Sequence, residues 1–123
     1  MPINILAMLG DALWILTLAS IASGATRLTR VLPPGVRLPM QWSVRGKPGW
    51  RATKPLALTV VIGVPLAVGL IMSAVARSPS LGPEGQLIVF LIRALAAPLH
   101  LLAHWGWMRA TTRTLDAEGA LKP

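Results

Sequence analysis

The segment RLTRVLPPGVRLPMQWSVRGKPGWRATK, from Arg27 to Lys54, decides how the chain is read. Seven of the twelve lysines and arginines lie in it: Arg27, Arg30, Arg37, Arg45, Lys47, Arg51 and Lys54. An apolar run from Ile3 to Ser23 precedes it, and two more, Leu56 to Ala76 and Leu87 to Met108, follow. Basic charge gathered between long apolar runs marks a chain threaded through a bilayer. Hydrophobic residues make up 54% of the chain and charged residues 13%, against about 25% charged in an ordinary soluble domain. Each run has the roughly 20 residues that carry a helix across a hydrocarbon core of about 30 Å. A soluble bundle would need polar stripes at helical spacing, and Val60 to Ile71 has none. The expected fold class is therefore all-α, an integral membrane protein with three transmembrane helices in a single membrane domain.

Boundaries follow from caps and breakers. The first run lacks the positive start of a signal peptide, and Asp11 interrupts its apolar core, so it reads as a span. Helix one is expected over about 3–24, with a basic extension through Arg27 and Arg30 that Pro33-Pro34 stops. The loop over 27–54 carries four prolines together with Trp42 and Trp50, which predicts an ordered, surface-lying segment. Thr53 and Pro55 open helix two, over about 55–76. Within it Pro65 frees the carbonyl of Val61, and Gly63 and Gly69 leave room for a neighbouring backbone. The short turn over 77–83 makes helices two and three an antiparallel pair. Helix three is expected over about 84–109, and the tail, 110–123, is expected to be partly disordered.

Three spans put the loop and the tail on one side. That side holds the seven basic residues plus Arg109, Arg113 and Lys122, against Arg77 alone on the other. The positive-inside rule then places the N-terminus outside and the C-terminus in the cytoplasm.

Four ionisable groups lie within the spans: Asp11, Arg93, His100 and His104. An acid or arginine at mid-span costs roughly 2.5–3.5 kcal/mol on insertion scales, so each needs a partner. Helices one and three enter from the same side, and Asp11 and Arg93 both fall about 12–14 Å below that edge at about 1.5 Å per residue. Equal depth predicts an interhelical Asp11–Arg93 ion pair that assembles the bundle; a proton or ion pathway is the functional alternative. His100 and His104 are spaced i, i+4 and share a face. Either they hydrogen-bond across helices, or one imidazole ligates a haem iron or a chlorophyll magnesium. No carboxylate accompanies them to complete a zinc site, so no metal site is expected. No cofactor is fixed by the residues; a tetrapyrrole pigment and a bound lipid are the candidates.

The remaining candidates form a contact surface. Arg27, Arg30, Arg45, Lys47, Arg51 and Lys54, with Trp42, Trp50, Trp105 and Trp107, suit anionic headgroups and the interfacial belt. Without an aromatic-interleaved RNA motif or zinc-finger spacing, nucleic acid is not an expected partner despite the net charge of +8. The absence of cysteine excludes disulfides and thiolate chemistry. No P-loop, nucleophile elbow or paired carboxylates occur, so the chain is expected not to be an enzyme.

Leu32-Pro33, Pro39-Met40-Gln41-Trp42, Gly46-Lys47-Pro48, Trp50 and Lys54, leading into an apolar helix, make the loop resemble a bacterial membrane domain of unknown function. That domain also forms the N-terminal part of immunity proteins against the sporulation-delaying toxin. The likeness covers about residues 31–65, with Gln41 where the family carries His and Gly49 where it carries Asp. It implies an integral protein of the bacterial inner membrane with a structured juxtamembrane loop. The function expected is that of a small, non-catalytic accessory subunit of a larger membrane complex, respiratory or photosynthetic. Such a subunit packs against partner helices and anionic phospholipids. The alternatives are a toxin-immunity or signal-sensing protein and a small transporter or channel subunit.

Overall fold

The computed structural model describes residues 4–121; the expected first residue of helix one, Ile3, and the basic Lys122 lie outside the described residues. The elements in order are α1 (Ile5–Val31), β1 (Leu38–Pro39), β2 (Arg51–Ala52), α2 (Lys54–Ala76) and α3 (Pro83–Ala117). All three helices are long and apolar enough to cross a membrane. At about 1.5 Å per residue, α1 and α3 are roughly 40 and 52 Å long, more than a hydrocarbon core requires. Their surplus turns stand at the same end, the one carrying the basic segment.

Helix α1 is the axis of the bundle. Ala7, Gly10, Trp14, Thr17, Ile21, Ala25 and Thr29 are its buried residues, in steps of three and four along one seam. Helices α2 and α3 are antiparallel, as the short turn requires, but each packs more extensively on α1 than on the other. At the turn end Asn4 serves two helices. Its Oδ1 accepts from the N–H of Ala7 at 3.0 Å, capping α1, and its Nδ2 donates to the carbonyl of Ala76 at 3.0 Å, closing α2.

The basic segment is a docked hairpin rather than a strip lying on a surface. Leu38 pairs with Ala52 and Pro39 with Arg51, and Trp42 bridges to Pro48. Gly46, at φ 78°, closes the turn, where the Ser43 N–H donates to Lys47 O at 2.7 Å. Leu32, Leu38 and Ala52 join Ala57 of α2 and Leu115 of α3 in a small core beyond the apolar spans. Leu115, 1% exposed, explains why α3 passes the end expected near 109: it continues to Ala117 because its last turns wall this core, so 110–117 are helix and not tail. The helix then ends in a Schellman motif. Gly119, at φ 74°, donates to Asp116 O at 3.0 Å, and the Ala120 N–H donates to Leu115 O at 2.9 Å.

Polar ties fasten the hairpin to the helices. The Trp107 indole donates to Pro39 O at 3.1 Å, the Trp42 indole to Thr114 Oγ1 at 3.0 Å, and Lys54 Nζ to Leu32 O at 2.7 Å. Arg51 makes a two-pronged pair with Glu118, at 2.9 and 2.5 Å. Hydrogen bonding from Arg51 holds the Glu118 carboxyl below its ordinary value of 4.5, and the same bond raises Arg51. A depressed carboxyl contributes stability that is full above its unfolded pKa and is lost as pH falls through the folded one. A spin label at Arg45→Cys is therefore expected to gain mobility as pH drops below about 4.5. In a Glu118→Gln background the label is expected to show the same mobility across that window.

Candidate functional site

The most concentrated polar chemistry between the helices lies near the turn end. Arg93 projects from α3 toward α1 and is 1% exposed. Its Nη2 donates to Asp11 Oδ1 at 2.6 Å and its Nη1 to Ala7 O at 3.3 Å. Gly10 makes the room: a Cβ there would stand 2.6 Å from Nη1. The structure thus brings Asp11 and Arg93 together at one level of the bundle. It adds a third member, Arg77, whose Nη2 donates to Asp11 Oδ2 at 2.7 Å while its Nη1 bonds Ser73 Oγ at 2.8 Å.

The carboxylate is therefore clamped between two guanidinium groups, one on each oxygen. Hydrogen bonds between a guanidinium and a carboxylate are among the stronger ones a protein makes. The arrangement joins α3 and the end of α2 to α1. Sequence reading missed Arg77 because it stands at the end of α2, where a long side chain ordinarily turns to water. The available signal was Ser73 one turn earlier and the reach of an arginine that bends inward along a helix.

One turn deeper, Trp14 ties all three helices together. Its indole N–H donates to Pro65 O at 2.8 Å, and its ring lies against Gly69, where a Cβ would collide with it. The carbonyl engaged is thus Pro65's own, not that of Val61. His100 meets the Trp14 ring edge-on, with centroids 5.0 Å apart. Its Nδ1 is 2.8 Å from Ala96 O, within its own helix.

His104 is buried, with Nε2 against Gly24 and its ring 6.1 Å from that of Trp107. Both its ring nitrogens are covered and have no hydrogen-bond partner among the described residues. The cross-helix hydrogen bonds expected of the two histidines are thus replaced by a bond within α3 and by close packing. The histidines flank an apolar cavity of about 250 Å³, with Ile21, Val64, Pro65 and Trp107. That is below the roughly 300–1,000 Å³ of pockets that enclose drug-sized ligands. A tetrapyrrole would find His104 closed on both nitrogens and only Nε2 of His100 uncommitted. No three metal-ligating side chains converge among the described residues.

The surface candidates divide. Trp42, Trp107, Arg51 and Lys54 spend their polar atoms on the hairpin dock, whereas Trp50 and Trp105 are 44% and 51% exposed. Arg27, Arg30, Arg45 and Lys47 are exposed.

Removing one partner of a buried pair strands the other charge. Asp11→Asn is expected to lower stability by about 3–5 kcal/mol in detergent-titrated unfolding. The Asp11→Asn/Arg93→Gln double variant is expected to lose less than Asp11→Asn alone, because no buried charge is left without a counter-ion. At the Trp14 node, Gly69→Ala is expected to cost about 1–3 kcal/mol by overpacking. Gly63→Ala, on the same helix with open space around it, is expected to be near neutral in the same melt.

Neither the protein-family models, nor the curated proteins, nor the solved structures contain a match to this chain.

Proposed function

We propose that this chain is a small, non-catalytic accessory subunit of a larger bacterial inner-membrane complex, respiratory or photosynthetic, with its N-terminus outside and its C-terminus cytoplasmic. One observation carries the reading. Asp11, Arg77, Arg93 and Trp14 use their polar groups to hold the chain's own helices together, while the outward faces stay apolar. Leu16, Leu70, Leu95, Leu99 and Leu102 are each at least 60% exposed, spread over all three helices. Such faces suit lipid and partner helices alike, and a bundle this thin has little interior of its own for chemistry. Orientation rests on charge: apart from Arg77, the exposed basic residues described lie at the hairpin end, and Arg77 at the other end is paired with Asp11.

Mild-detergent purification of a tagged chain from its native membrane tests this. A larger integral-membrane partner in stoichiometric amount is the expected result. Leu95→Ala/Leu99→Ala/Leu102→Ala is expected to reduce its recovery several-fold without changing the melt of the isolated chain. A chain that purifies alone, or that conducts ions in liposomes in an Asp11-dependent way, would exclude the accessory role.

A further inference from the structure

At the hairpin end a second feature stands apart from the polar clamp: a groove of about 510 Å³ between α1 and α3, with Arg27, Arg109 and Arg113 among its walls. The helix register explains why they meet. Ala7 and Asp11 face Arg93, and Gly24 faces His104 and Met108, so a residue on α1 stands level with one 80–86 positions later on α3. Arg27 is therefore level with Arg109 and about one turn from Arg113. Gly24 opens the floor of the groove, where a Cβ would lie 3.3 Å from Met108 Sδ, and Leu28 adds an apolar wall.

We propose that this groove binds one anionic phospholipid, its phosphodiester held by Arg27, Arg109 and Arg113 and its first acyl carbons lying over Leu28 and Met108. The proposal rests on the membrane insertion argued above. Three observations support it. Among the described residues none of the three arginines is in an ion pair, whereas Arg51, Arg77 and Arg93 all are. Of the acids described at this end, Glu118 is already engaged by Arg51, leaving Asp116 against three guanidinium groups. Planar guanidinium forks match phosphate oxygens in pairs, so three around one opening favour a phosphate over a diffuse counter-ion cloud. Depth agrees as well: about 20 residues of α1 from Ile5 cross a hydrocarbon core and end near Gly24, one turn before Arg27. Arg45 and Lys47 at the hairpin tip carry similar charge but are not among the residues lining this groove, which makes them the control.

Native mass spectrometry of the purified full chain, titrated with phosphatidylglycerol and separately with phosphatidylcholine, tests the site. The expected result is one phosphatidylglycerol retained in preference to phosphatidylcholine. Arg27→Gln/Arg109→Gln/Arg113→Gln is expected to weaken its retention roughly a hundredfold, at the about fivefold that each basic residue contributes near an anionic surface. Arg109→Gln alone is expected to give about fivefold should the triple variant fold poorly, and Arg45→Gln/Lys47→Gln less than twofold. Equal weakening in the hairpin control, equal retention of phosphatidylcholine, or equal binding of soluble glycerol phosphate would each overturn the assignment. The readout is taken on the isolated chain, so it stands or falls separately from the search for a protein partner.

Discussion

Arg93 places a guanidinium between helices with 1% of its surface exposed. Everything around it answers that constraint. Gly10 gives up a side chain so that the guanidinium can fit, Ala7 lends a carbonyl, and Asp11 supplies the counter-charge. An unpaired ion there would cost several kcal/mol, comparable to much of the margin that holds a small bundle together. The relative rotation of α1 and α3 is thereby set, since only one face of each helix brings these groups into reach. Trp14 and Gly69 then set α2 against the same axis by close fit, beside the charge that Arg77 at the end of α2 brings to Asp11.

At the hairpin end the same problem is solved differently. There the helices have outrun their apolar stretches, and the core that holds them is contributed by the connecting segment. Leu38 and Leu115 are as deeply buried as any side chain between the spans, although one comes from a loop rich in proline and the other from a polar helical end. The indole N–H groups of Trp42 and Trp107 serve as fasteners within the protein. A tryptophan beside an apolar helix can offer its N–H outward or to the protein, and these two offer it to the protein.

Much of this was legible in the residues. The apolar runs gave three helices, and simple depth arithmetic put Asp11 level with Arg93. What escaped reading depended on partners distant in sequence. Ser73, one turn before Arg77, is a local hint that the side chain turns inward, but it does not identify the carboxylate 66 positions earlier that Arg77 clamps. Ala110 to Ala117 looks like a tail because its composition is polar, and it is helical because Leu115 fills a core that the hairpin must first create. Spacing put the histidines on one face, but spacing could not show that Gly24 lets α1 close over His104.

The division of the Asp11 carboxylate between two arginines has a temporal side. Synthesis delivers α1 first, then the end of α2, and α3 last. Arg77 therefore leaves the ribosome ahead of Arg93; in the folded chain it holds Oδ2 and Arg93 holds Oδ1. The acid in the first helix is thus matched with a counter-ion in two instalments, the outer one available before the helix that buries the inner one has been made.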